Sequence, residues 1–258
     1  MEAAGWERAH GYASNEHLLE KYADQVPERT VEWENRHFWR VSNAEHLEMS
    51  ENVGMVNLSH FAIYDVSGEG AADLMEFLCV AKVAGDTPIG KGVYTHFLDK
   101  VAGVRADLTV LRLGENHFLM TTTTGGAARV LSWLEIYHQT EWPEMEVYFN
   151  SVTDHWSTAT ISGPNARKVL AKLTDDIDLD AESFKFMDWR TGTVAGVPAR
   201  VFRISFTGEL SYEVNVQANY GLAVWEKIME AGAEFNITPY GTETMHVLRA
   251  EKGFIIVG

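Results

Sequence analysis

Residues 106–121 constrain the fold more than any other stretch of this chain. Ala106-Asp107-Leu108-Thr109-Val110 alternates apolar and polar side chains with period two, as a half-buried strand does, and the alternation breaks at Leu111. Gly114-Glu115-Asn116 follows as a turn signal, and residues 117–121 read as a second strand. Strands joined so closely pair antiparallel, because a parallel crossover needs a dozen residues or more. Further strand candidates lie at 56–59, 61–66, 93–98, 146–152, 157–161, 193–194, 199–205 and 212–216. Helices are predicted over 70–79, 127–139, 164 to about 173, 221–231 and 242–252, the third opening with Pro164 in its first turn. Hairpins alternating with helices predict an α+β fold, with antiparallel sheets and helices packed on one face, rather than a doubly wound parallel sheet.

A chain of 258 residues that is 46% hydrophobic can bury a sizeable core. Its 21 Lys and Arg against 37 Asp and Glu give a net charge of −16, which argues against a nucleic-acid or anionic-membrane partner. The single cysteine, Cys79, excludes an internal disulfide and a Cys-based zinc cage. The first residues carry no apolar signal segment, and no uncharged apolar run approaches the ~18 residues of a membrane span. A soluble, cytoplasmic protein is therefore expected. Residues 1–52 hold 11 acidic and 5 basic side chains among Trp6, Tyr12, Tyr22, Trp33, Phe38 and Trp39, with a helix predicted over 37–48. Aromatics that dense are expected to pack onto a neighbour, which makes 1–52 an arm against a main body at 53–258. The apolar ending Gly253-Phe254-Ile255-Ile256-Val257-Gly258 is unusual for a free terminus, and the expectation is a chain cut short.

Several near-motifs fail on their own chemistry. Gly85 to Gly92 nearly spells a phosphate-binding loop, but Gly92 stands where Ser or Thr must meet Mg²⁺, and a strand-favouring run follows instead of a helix. Asp176-Ile177-Asp178-Leu179-Asp180 starts like a calcium loop, yet Ala181 and Met187 replace its turn glycine and bidentate glutamate. Gly68-Glu69-Gly70-Ala71-Ala72-Asp73 lacks the third glycine of a dinucleotide fingerprint. No His-Glu-x-x-His or Gly-x-Ser-x-Gly occurs, and no metal site is expected.

Three segments remain. They are Tyr94-Thr95-His96-Phe97-Leu98 with Gly103-Val104-Arg105-Ala106-Asp107-Leu108-Thr109-Val110, then Ser162-Gly163-Pro164-Asn165-Ala166-Arg167, and finally Arg203-Ile204-Ser205-Phe206-Thr207-Gly208-Glu209-Leu210-Ser211-Tyr212-Glu213. In this order they resemble the glycine-cleavage T-protein (aminomethyltransferase) family, and most closely the tetrahydrofolate domains of sarcosine oxidase alpha subunits and dimethylglycine dehydrogenases. The start, Gly5-Trp6-Glu7-Arg8, looks like the dehydrogenase branch; Phe118 to Gly126 and Tyr240-Gly241-Thr242-Glu243-Thr244 look like the oxidase branch. The resemblance implies a T-protein-like folate-binding fold without its C-terminal β-rich domain. It also implies one-carbon transfer to tetrahydrofolate. An N-methyl amine of the sarcosine or dimethylglycine type would be oxidised to an iminium by a flavoprotein domain or subunit, and the carbon captured as 5,10-methylene-tetrahydrofolate.

The resemblance implies roles for particular residues. Asp107 matches the family's key aspartate, although Ala102 replaces the first glycine before it. A carboxylate beside a folate nitrogen can orient it, take its proton and stabilise cationic character; without the resemblance, Asp107 is simply a polar residue leading a strand out of a turn. Tyr94 matches a tyrosine of the folate cavity and reads equally well as a strand aromatic. Thr109 and Leu111 share Asp107's face of a strand and would line the same pocket. Glu213 matches the glutamate that pairs with the pterin edge, where a carboxylate accepts two adjacent N–H groups. Phe206 supplies an aromatic wall where relatives have tyrosine, and Phe184, Phe186 and Met187 form a flanking apolar wall or lie in the core. Asn57 and Met245 depart from a family aspartate and arginine; the arginine's hold on the folate tail would pass to Arg249 or Lys252. Two other readings stay open: a non-catalytic docking module for a flavoprotein, and a folate-dependent sulfonium demethylase.

Overall fold

The computed structural model describes residues 2–29 and 39–257, so Trp33, Phe38 and the expected helix start at His37 lie outside the described residues. In chain order the elements are strands β1 (Glu2–Ala3) and β2 (Trp6–Glu7), and helices α1 (Leu18–Lys21) and α2 (Trp39–Glu51). Next come strands β3 (Gly54–Asn57) and β4 (Ala62–Ser67), helix α3 (Ala71–Leu78), and strands β5 (Gly92–Leu98), β6 (Val104–Gly114) and β7 (His117–Thr122). Helix α4 (Ala127–Glu141), strands β8 (Tyr148–Ser151) and β9 (Trp156–Ser162), and helix α5 (Ala166–Ala171) follow. The chain closes with strands β10 (Trp189–Val194), β11 (Val197–Phe202) and β12 (Ser211–Gln217), helix α6 (Gly221–Gly232), strand β13 (Thr238–Pro239) and helix α7 (Thr242–Lys252). These form two units. One comprises Met1–Leu58, Ser157–Phe186 and Thr191–Ile255; the other comprises Ser59–Trp156, Met187–Arg190 and Ile256–Gly258.

The second unit holds a five-stranded antiparallel sheet in the order β5-β6-β7-β4-β8. The alternation of β6 sends Ala106, Leu108 and Val110 to one face, where they meet Phe97, Phe118 and Met120. Helix α3 covers that face with Ala71, Leu74, Met75 and Leu78, spaced at i, i+3, i+4 and i+7, and α4 adds Val130 and Leu134. Each such Leu, Met or Val side chain, fully buried, contributes roughly 1.5–3 kcal/mol. Leu111 breaks the alternation because it is also buried, on the opposite face. That opposite face carries the polar members of the strands.

The β5–β6 turn fixes which residues oppose each other. Asp99 Oδ1 accepts the backbone N–H groups of Val101 and Gly103 at 3.0 and 2.7 Å, and its carboxyl is held below the usual range by Gly103 first of all. Ala102 takes φ 62 in this turn, a left-handed conformation that a Cβ disfavours. Ala102→Gly is expected to stabilise the unit by about 0.5–1 kcal/mol in urea denaturation, with the m-value unchanged. An unchanged midpoint would mean that the turn carries no strain.

The first unit holds a six-stranded sheet in the order β10-β11-β12-β9-β3-β13. The β11–β12 and β3–β9 pairs are antiparallel, while the short β13 runs parallel to β3. Val201, Tyr212, Val214, Val216 and Ile161 bury one face under α5 and α6, through Val169, Leu170, Val224 and Ile228. Helix α5 begins two residues after Pro164, because Gly163 at φ 118 and Asn165 still belong to the turn.

The near-motifs resolve into ordinary structure. Gly92 opens β5, and its N–H donates to Met187 O at 2.7 Å. Asp176, Asp178 and Asp180 each accept a backbone N–H, from Thr193, Asp180 and Glu182 respectively. Among the described residues no three His, Cys, Asp or Glu gather as a metal would require, and no helix is long and apolar enough to cross a membrane.

Candidate functional site

Asp107 sits mid-strand on the polar face of the second unit's sheet and is only 7% exposed. Burial raises its carboxyl above the usual range, against the pull of its own backbone N–H, the neighbouring His96, the Val257 N–H and the Tyr94 hydroxyl. Tyr94 Oη lies 3.5 Å from Asp107 Oδ2, a long contact that holds the phenol near the carboxylate without binding it tightly. The Tyr94 phenol is pushed up to about 12, first by burial and then by Asp107. Thr109 is directly opposite Tyr94, and Leu111 is opposite Gly92, so all four predicted residues share one face. Met187 belongs to the same unit, beside the start of β5, with φ 66. The next residue, Asp188, is buried and ion-paired to Lys91, with Arg190 at 3.3 Å, which clamps this loop to the strand.

Glu213, Phe206 and Phe186 belong to the first unit. On β12, Tyr212 and Val214 go to the core, leaving Ser211, Glu213 and Asn215 on the other face. Asn215 accepts from Thr158 at 2.7 Å, and Ser211 bonds Ser162 at 2.9 Å. Between these two bonded pairs stand Glu213 and Thr160. The half-buried Glu213 carboxylate has no hydrogen-bond or ion-pair partner among the described residues, and burial pushes it up to about 7. The Thr160 hydroxyl is sealed from solvent and equally unpartnered among them. An unsatisfied buried polar group costs about 1–3 kcal/mol, and the described residues of this unit supply no partner that would offset it.

The remaining predicted residues divide. Phe186 is 56% exposed, and the Phe206 ring lies edge-on to His246 at 6.4 Å. Phe184 is a core residue against Tyr212, which resolves its two readings. Met245 is buried, whereas Arg249 donates to Phe254 O at 2.5 Å and Lys252 lays its stem over Gly208. Thr160, Asn215 and His96 were not singled out from sequence; the signal was there, since each lies at a period-two or cross-strand position from Glu213, or from Tyr94 and Asp107.

The raised Glu213 has a pH consequence. The folded chain holds this proton more tightly than an unfolded glutamate at about 4.5 does, so the stability it supplies is present below about pH 4.5 and lost as pH rises through about 7. Glu213→Gln is expected to flatten the fall in urea stability between pH 5 and pH 8. A fall as steep as the parent's would place the titrating group elsewhere.

The GCVT N-terminal domain family matches residues 1–258. The chain is 49% identical over 211 residues to the sarcosine oxidase subunit alpha of Corynebacterium sp. (strain U-96), which covers 81% of this chain and 22% of that protein. It is 29% identical over 251 residues to the mitochondrial dimethylglycine dehydrogenase of Rattus norvegicus, covering 97% of this chain and 28% of that one. The chain thus spans about a quarter of the length of these curated relatives. The structure of glycine cleavage system aminomethyltransferase T from Bartonella henselae superimposes with a TM-score of 0.75 at 21% identity, over 99% of this chain and 59% of that one, a likeness of fold.

Proposed function

The chain belongs to the family of the GCVT N-terminal domain, and from that premise we propose that it is the folate-binding part of a one-carbon transferase. Its substrate would be a carbon from an N-methyl amine of the sarcosine or dimethylglycine type, delivered as an iminium, and its product 5,10-methylene-tetrahydrofolate. The observation that carries the reading is Asp107: a buried carboxylate, made more basic by desolvation, on the face of a strand that its sheet does not use for its core. The likeness to sarcosine oxidase subunit alpha, over 81% of this chain, supports the choice of amine.

The residues present fit tetrahydrofolate. The unpartnered Glu213 carboxylate is an acceptor for adjacent pterin N–H groups, and the orphaned Thr160 hydroxyl can serve the same ring. When bound, tetrahydrofolate supplies two N–H nitrogens that take up the carbon, and the two protons they shed end on the departing amine. Asp107 accepts a proton and faces positive charge, and Tyr94 orients the carboxylate through its hydroxyl. The chain has no flavin fingerprint, so the oxidation is assigned to a flavoprotein domain or subunit.

The test is a tetrahydrofolate titration followed by tryptophan quenching, paired with methylene-folate formation when a sarcosine-oxidising flavoprotein supplies the iminium. Saturable binding with a methylene product is expected. A 5-methyl-folate product from a sulfonium donor would replace this reading with a demethylase, and no folate binding would remove it.

A further inference from the structure

Directly across the strand pair from Asp107 stands a second titratable group. His96 on β5 is the Cα partner of Asp107 on β6, and opposed residues of an antiparallel pair project from one face. Thr95 and Phe97 turn to the core, so period two puts Tyr94 on the same face as His96, and the two rings meet edge-on with centroids 5.0 Å apart. The imidazole Nε2 is sealed from solvent and has no hydrogen-bond partner among the described residues. Leaving such an atom unmatched costs about 1–3 kcal/mol, and packing alone gives no reason for a polar ring there.

Three polar groups thus gather on two strands: a phenol, a carboxylate and an imidazole. The other charged groups of the strand pair are engaged elsewhere, Arg105 with Asp99 at 2.6 Å at the turn and Arg112 with the backbone carbonyls of Ala84 and Thr87. On the same face of the sheet, Asp65 and His117 pair at 2.7 Å. The Val257 N–H faces Asp107 from the C-terminal segment. Among the described residues, His96 is the imidazole that stands across the strand pair from Asp107 and can take a proton from it. Two protons leave the folate nitrogens and two reach the amine, and a second proton-holding group beside Asp107 allows both to be held at once.

We propose that His96 is a proton relay for Asp107. The neutral imidazole takes the first proton from the Asp107 carboxyl, freeing the carboxylate for the second, and the imidazolium and the carboxylic acid then each return one proton toward the amine. No proton is gained or lost by the pair over a turnover. His96 acts through Asp107 and is therefore a positioning residue; the proposal rests on the reading of Asp107 as the site's base.

The first readout needs no turnover. The His96 imidazole is titrated by long-range ¹H–¹⁵N NMR in the parent chain and in Asp107→Asn. Removing the carboxylate's charge is expected to lower the His96 midpoint by roughly one unit, as for an opposite charge a few ångströms away. The second compares His96→Gln and His96→Asn with the parent, using flavoprotein-supplied iminium. Turnover is expected to fall about 10–100-fold with folate quenching unchanged, and the pH profile of the turnover number to lose its imidazole limb. Two variants guard against misfolding of either. A His96 midpoint that ignores Asp107→Asn, or full turnover in a folded His96 variant, overturns the relay. If Asp107→Asn itself turns over normally, the base assignment falls and the relay with it. If Asp107→Asn is dead while both His96 variants are active, only the relay falls.

Discussion

Asp107→Ala is expected to cost about 10²–10⁴-fold in turnover, the range spanned by a positioned acid or base, while the folate affinity stays within about threefold. The split follows from position. Asp107 is proposed as the group that handles the transferred protons, whereas pterin recognition is proposed for Glu213. The substitution is also expected to leave the fold intact. The β6–β7 ladder continues through the backbone, and Thr122 donates to the carbonyl rather than the carboxylate of residue 107, at 3.0 Å. The side chain's contact with the Tyr94 hydroxyl is long, at 3.5 Å. Because burial raises this carboxyl, the stability it supplies is present below the ordinary aspartate value of 3.8 and lost as pH rises through its folded value. At neutral pH the alanine variant should therefore melt no lower than the parent. Lost turnover with an unchanged melting temperature supports the catalytic role. Lost turnover with a lowered one would make Asp107 structural, and retained turnover would favour a docking module over an enzyme.

How far the sequence could be read depended on whether a signal was local. The hairpin at β6–β7, the spans of α4 and α7, and the face shared by Asp107, Thr109 and Leu111 all come from periodicity, which neighbours along the chain express, whereas Tyr94 joins that face only through the β5–β6 register. β13, two residues long and parallel to β3, came from no periodic pattern, because its partner lies far away in sequence. The β1–β2 pair and α1 were too short to show a period. Asp107 and Glu213 were legible only through family resemblance: a lone Asp or Glu in a strand looks the same whether it faces solvent or a ligand. His96 could have been found by continuing the alternation from Tyr94, but pairing it with Asp107 needed the register that the Asp99 turn sets. Buried charge was the least legible feature. Periodicity assigns acidic residues of a helix to the solvent side, yet α2 buries both Glu45 and Glu48.

Glu45→Leu is expected to cost about 3–5 kcal/mol of stability. The Glu45 side chain is completely buried. One of its oxygens accepts from Tyr12 N and Asn15 Nδ2 at 2.7 and 2.8 Å, and the other from Gly241 N and Thr244 Oγ1 at 3.0 and 2.9 Å. The carboxylate thereby ties the N-terminal arm, α2 and the start of α7 into one knot. Burial raises its pKa, and the four donors only partly offset that. Leucine fills the volume but leaves donors behind. Asn15 retains Pro239 O and Thr244 retains Ser42 O, so the stranded groups are the backbone N–H groups of Tyr12 and Gly241. The arm cannot simply settle elsewhere, since a Cβ on Gly241 would lie 1.9 Å from His10 O, which shows how closely the two backbones approach. Glu45→Gln should cost less, because its amide oxygen still serves one pair of donors while its NH₂ opposes the other. Urea denaturation followed by tryptophan fluorescence separates the cases. Leucine costing more than glutamine establishes the knot as a set of acceptors for backbone donors, and leucine costing under about 1 kcal/mol would mean that water or rearrangement satisfies those donors instead.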